Sequence, residues 1–241
     1  MKTTANVLLF FLAFLTVVSA RGEARTVRVF VALADNANQG IVPVPPKIGN
    51  GDDADENLYW GTSEGFRSVF RASKDWQKLE AGKPEGGSVL ERLSFKHGKH
   101  DCTLVAEAWR GSEIKACTEA FFAELKSGNA DLVVYVGHDG LMDFRLPIIV
   151  GNERKKPAGV MVLCCKSRAF FGPHLEALQA KPLLMTEQLM YPGSFLVRDA
   201  TAAWLRGDSL AEIRMAAARS YASNQDISVK AAAGVFSTLS E

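Results

Sequence analysis

Apolar positions along the chain alternate between short solid runs and spaced stripes. Residues 131–137 (Asp-Leu-Val-Val-Tyr-Val-Gly) and 159–163 (Gly-Val-Met-Val-Leu) are short and mostly β-branched or aliphatic. Each is closed by polar or turn-forming residues, a pattern that predicts strands buried on both faces rather than helices. Residues 25–34 predict the first strand, with Asp35 and Asn36 at its end, and residues 102–109 and 181–187 read as further strands. Ile114, Cys117, Phe121 and Leu125 step by three or four, giving a helix with one apolar face that Gly128 closes. The resulting strand–helix–strand unit makes the strands at 102–109 and 131–137 parallel.

The remaining elements are read the same way. Thr62 or Ser63 is the expected N-cap of a helix carrying Phe66, Val69 and Phe70. Residues 170–173 (Phe-Phe-Gly-Pro) predict a turn before a short helix at 174–180. Three helices are expected at 195–205, 210–223 and 228–239, with Asp208 or Ser209 capping the second. The interval from His138 to Cys165, which holds the apolar residues 146–150, is too short for a long crossover helix and predicts a small hairpin or an extended excursion. These elements predict an α/β fold, a three-layer sandwich around a mainly parallel central sheet with a C-terminal helical segment, as one domain over residues 25–241.

Composition changes this picture in three places. The 241 residues, 47% of them hydrophobic and 23% charged, suffice for one substantial core. A formal net charge of +1 predicts no polyanion-binding field, and no nucleic-acid motif is present. Residues 1–20 combine Lys2, an apolar run over 7–18 and Val18-Ser19-Ala20, the pattern of a secretory signal peptide cleaved near Ala20. The expected mature protein is exported, periplasmic or extracellular, with no stable membrane insertion. Four cysteines are too few for a disulfide scaffold at this length, although a Cys102–Cys117 bond is conceivable and Cys164 reads as a small core residue.

Candidate chemistry follows from where the strands end. In an open α/β sheet, ligands bind beyond the carboxyl ends of the strands. His138 follows one buried run and Cys165 another, so the two predict a base–nucleophile pair on a shared rim. A thiol attacks as the thiolate, and an imidazole is a suitable base near neutral pH. Backbone N–H groups around Asp139, Gly140 and Cys165 are candidate oxyanion donors. Asp53, Asp55 and Asn57, inside the long loop at 37–57, offer alternating oxygens to a calcium ion but lack the Gly and distal Glu of an EF-hand, so a solvated acidic loop is the simpler reading. His97, His100 and Cys102 lack a second ligand pair and read as a basic turn. No metal centre and no cofactor is expected.

An apolar strand ending in His, followed by another ending in Leu163-Cys164-Cys165, resembles the caspase-like cysteine peptidases, a group that includes caspases, legumain, gingipains and separase. The order of elements from Arg28 to Glu187 is similar as well. The resemblance implies a peptidase with Cys165 as nucleophile, His138 as its partner and a peptide or protein as substrate. It implies substrate contacts at Asp35 and Asn36, and at Thr186 and Glu187 on the strand after the nucleophile. That family usually places Gly directly after the His, whereas Asp139 stands before Gly140 here. The rival expectation is a non-catalytic α/β domain that binds calcium through the loop at 50–57, or a protein partner. A third is a redox or acyl-transfer enzyme using the same thiol; the lack of Cys-x-x-Cys argues against a thioredoxin-type mechanism.

Overall fold

A computed structural model describes residues 24–82, 84 and 87–240. The expected signal peptide lies outside these residues. Seven strands form one mixed sheet in the order β2-β3-β4-β1-β5-β6-β7. At its centre β1 (Arg25–Ala32) pairs in parallel with β4 (Cys102–Trp109) on one side and β5 (Leu132–Val136) on the other. Beyond β5 lie β6 (Gly159–Leu163) and β7 (Lys181–Leu184), also parallel. Beyond β4, the strands β3 (Val89–His97) and β2 (Trp76–Gly82) run antiparallel. Every residue of β5 and β6 is buried, as their solid apolar runs require.

Alternating side chains divide the core in two. Val27, Val29, Val134, Val136, Met161 and Leu163 face a layer formed by α1 (Phe66–Ala72), α4 (Phe195–Arg206), α5 (Leu210–Gln225) and α6 (Val229–Ala233). Phe30, Val133, Tyr135, Val160 and Val162 face α2 (Ile114–Ser127) and α3 (Ser167–Ala177). Helices thus cover both faces of the sheet, as the sequence pattern predicts. None of the described helices is long and apolar enough to cross a membrane.

Several expectations are corrected. No turn occurs at 170–173: α3 runs through Pro173. Phe171 and Leu175 are buried, and the Phe171 ring packs on Phe121, Phe122 and Tyr135, so tertiary burial outweighs the missing backbone N–H. The last helix ends at Ala233 instead of reaching 239. The tail after it is extended: Phe236 bridges Thr186, and Ser237 N–H donates to the Met185 carbonyl. The first helix begins at Phe66 after Gly65, because the Thr62 hydroxyl is spent on the Leu58 carbonyl. Cys102 and Cys117 lie in the cores on opposite faces of the sheet, so the conceivable disulfide does not form, and all four cysteines are free.

Candidate active site

Register brings the two candidate residues to one edge. Val136 pairs with Leu163 across β5 and β6. The ladder's last bond, from Gly137 N–H to the Leu163 carbonyl, is 3.3 Å long. Gly137 then turns the chain at φ +145°, and a Cβ there would sit 2.6 Å from the Ala32 carbonyl oxygen, so only glycine fits. His138 and Cys165 follow two residues beyond the paired Val136 and Leu163, at the carboxyl ends of neighbouring parallel strands.

Cys165 is held by what comes after it. Lys166 adopts a left-handed conformation and α3 starts at Ser167. The Ser167 hydroxyl donates to the Val162 carbonyl and accepts from Thr186 N–H, while the Thr186 hydroxyl donates to the Cys164 carbonyl. Thr186 is therefore fully buried and ties β6 to the start of α3 rather than lining a pocket. Cys165 is partly exposed, and its sulfur lies against the backbone of Met190, accepting from its N–H at 3.4 Å and facing its carbonyl at 3.6 Å. On the same side stands Tyr59, whose hydroxyl is pushed up first by burial and then by its cysteine neighbours. Cys164 points the other way, into the α2–α3 core, where burial raises its thiol far above the ordinary range.

His138 is buried, and its Nε2 lies 2.7 Å from Asp143 Oδ2. The same oxygen accepts from Gly40 N–H at 2.9 Å. The His138 carbonyl accepts from the Tyr135 hydroxyl at 3.0 Å, which fixes the backbone beneath the ring. Nδ1 has no protein partner among the described residues. No hydrogen bond joins His138 to Cys165: the ring is engaged by Asp143, the sulfur by Met190.

Asp139 does not face the rim. Its Oδ1 accepts from Leu141 N–H and caps a 3-10 turn at Gly140–Met142. Its Oδ2 is buried with no N–H or O–H donor and faces the Cys164 thiol, a weak donor at best. Burial pushes this carboxyl up to about 7, against the pull of the Leu141 N–H. Gly140 is pressed against the Phe144 ring, which lies 2.7 Å from where a Cβ would be. Among the described residues, the N–H groups of Asp139 and Cys165 meet no protein acceptor.

The other candidates are placed elsewhere. Asp35 is buried and accepts from Ala37 N–H, Asn38 N–H and the Asn38 amide. The Asn36 amide bonds the backbone of Val44 in both directions. Both side chains thus hold the 37–57 loop together rather than facing a pocket. Glu187 is half-exposed and pairs with Arg168 at 3.6 Å. In the acidic loop, Asp53 accepts from Asp55 and Glu56 N–H groups, Asp52 pairs with Arg110 and Asp55 with Arg67. Asn57, fully buried, bonds the Ala34 backbone. His97 Nδ1 accepts from the Lys99 and His100 N–H groups. Among the described residues, no three His, Cys, Asp or Glu side chains are placed to hold a metal ion.

A cleft of about 1200 Å³ opens at the opposite end of the sheet, lined by Arg25, Asp131, Arg154, Lys181, Asp208 and neighbours. Among the described residues that line it there is neither His nor Cys. The Arg25 guanidinium is bonded to the Trp204 and Leu205 carbonyls, Arg154 to those of Gly128 and Ala130, and Asp131 to Thr26 N–H. Its size does not make it the reactive end.

Sequence reasoning missed Asp143, Gly40, Met190 and Tyr59. The only available signal for Asp143 was an acid one short turn after the His. No protein family, curated protein or solved structure matches the chain.

Proposed function

We propose that the chain is an exported cysteine hydrolase of caspase-like fold that cleaves peptide bonds with Cys165 and His138. The observation that carries this reading is the β5–β6 register, which sends a histidine and a partly exposed cysteine out of adjacent parallel strands at the same level. The run β4-β1-β5-β6-β7, all parallel, supports the same architecture. Export rests on the sequence of residues 1–20 alone.

In this reading the Cys165 proton passes to His138 Nδ1 and the sulfur attacks the peptide carbonyl carbon. The unpaired Cys165 N–H meets the developing oxyanion. Collapse of the tetrahedral intermediate breaks the C–N bond, and the amine leaves with the proton from His138. Water, deprotonated by the same ring, then cleaves the thioester. The ring and sulfur need only close on one another when substrate displaces the Met190 contact, and free enzymes often hold such pairs loosely.

One observation favours a rival, a non-catalytic binding domain: each candidate group is bonded to a third residue and not to the other. Iodoacetamide labelling of Cys165, read by mass spectrometry, separates the two readings. The proposal expects labelling to slow by about tenfold or more in His138→Ala, since the thiolate is the reactive form. Equal rates in both proteins remove the hydrolase reading. Cleavage in a peptide library by wild type, and none by Cys165→Ala, then defines the substrate.

A further inference from the structure

Asp143 makes the shortest contact to the candidate base and has no role yet. From this geometry we infer that Asp143 is a positioning residue: it keeps the proton of neutral His138 on Nε2 and so leaves Nδ1 as the basic nitrogen that the hydrolase reading needs. The inference rests on the hydrolase reading for its consequence, but not for its physical content.

Three features carry it. An ionised carboxylate can only accept, so the 2.7 Å contact places the hydrogen on Nε2. The ring is buried, so water does not equalise the two tautomers. The carboxylate is itself fixed. Gly40 N–H donates to the same Oδ2, and a Cβ on Gly40 would lie 2.4 Å from Oδ1, so the loop backbone is packed directly on the acid. From the other side, Asp143 and Phe144 N–H groups both donate to the Gly140 carbonyl, closing the turn that Asp139 caps. Two distant segments thus clamp one acid against one ring nitrogen.

The consequence is directional. When Cys165 gives up its proton, Nδ1 receives it and the ring becomes imidazolium. Asp143 stabilises that cation through Nε2–H without accepting a proton, as a third residue orients the base in other nucleophile–base pairs.

Nitrogen-15 NMR of the histidine rings in the full chain tests this. Wild-type neutral His138 is expected as the Nε2–H tautomer. Asp143→Ala should give a mixture containing the Nδ1–H form, with the signals of His97, His100 and His174 unchanged as a control for folding. Cys165 labelling near neutral pH should fall by about tenfold in this variant, towards the His138→Ala rate. Asp143→Asn retains the shape and an acceptor for Gly40; it should keep the Nε2–H form yet label more slowly than wild type, which separates loss of charge from loss of packing. An unchanged tautomer in Asp143→Ala overturns the inference. A shifted tautomer together with equal labelling of wild type and His138→Ala upholds the positioning role and removes the hydrolase reading instead.

Discussion

The two ends of the sheet use polar groups in opposite ways. At the amino end, helices finish and their last carbonyls lack partners. Guanidinium groups fill that need: Arg154 meets the carbonyls after α2, and Arg25 those at the end of α4. The wide cleft there is walled in part by these backbone-bonded guanidinium groups, with Lys155, Lys156 and Lys181 lining it as well. At the carboxyl end the ladder opens at Gly137 and, among the described residues, leaves an N–H at Cys165 and a ring nitrogen at His138 without protein partners. A thiol and an imidazole at the ends of neighbouring strands, and not empty volume, distinguish the end where chemistry is proposed.

The largest expected effect tests that contrast directly. Cys165→Ala should abolish peptide hydrolysis, a loss of about 10⁴-fold or more by analogy with removal of other covalent nucleophiles. Replacing both Lys155 and Lys156, which line the amino-end cleft, by Ala should leave turnover unchanged. Turnover of a peptide found by library profiling measures both. The opposite pattern would move the reactive centre to the cleft.

Arg154→Ala should show the amino end to be structural. The guanidinium is buried, bonds the carbonyls of Glu124, Gly128, Ala130 and Lys156, and lies 3.9 Å from the Glu124 carboxylate. Its removal leaves those acceptors unpaired and should cost about 3 kcal/mol in urea unfolding, with no change in Cys165 labelling rate.

Much of this arrangement was legible in the chain, for reasons that differ by element. β5 and β6 are solid apolar runs because both faces are covered, so their ends, and hence the positions of His138 and Cys165, could be read directly. β2 was not readable: it is an edge strand whose Leu79 is exposed, and its pairing with β3 leaves no periodic signature. Asp143 was hidden because one of the contacts that fix it comes from Gly40, 103 residues away. Asp35 and Asn36 suggested a substrate surface, but the N–H groups of the turn they begin needed acceptors more locally. Local rules found the ends of the strands; the partners waiting there depend on distant loops.

The buried acid at the carboxyl end predicts an unusual pH response. Asp139 is raised to about 7 from an ordinary value of 3.8, so the folded state holds its proton more tightly than the unfolded chain does. Its contribution is fully present below about pH 3.8 and is lost as pH rises through about 7. Asp139→Asn keeps an acceptor for Leu141 and cannot ionise. Relative to wild type, the variant should gain up to ~4 kcal/mol between pH 4 and pH 8, and any cost of its amide is the same at every pH and drops out of that difference. Parallel unfolding curves for the two proteins across this range would show that Asp139 is not the buried acid the site contains.

At the amino end the smallest effect should run the other way. Ser209 caps α5 beside the cleft: its hydroxyl accepts from Glu212 N–H, and the Glu212 carboxylate reaches back to the Ser209 N–H and hydroxyl. Those donors hold the Glu212 carboxyl below its ordinary value of 4.5. Its support for the fold is therefore present above that value and lost as pH falls through the lowered one. Ser209→Ala should cost about 1 kcal/mol near neutral pH, and less in acid, where the wild type has already lost part of the capping box. Thermal unfolding of this variant beside Asp139→Asn would then give pH profiles of opposite slope, because one end of the sheet gathers donors around an exposed acid while the other encloses an acid with too few.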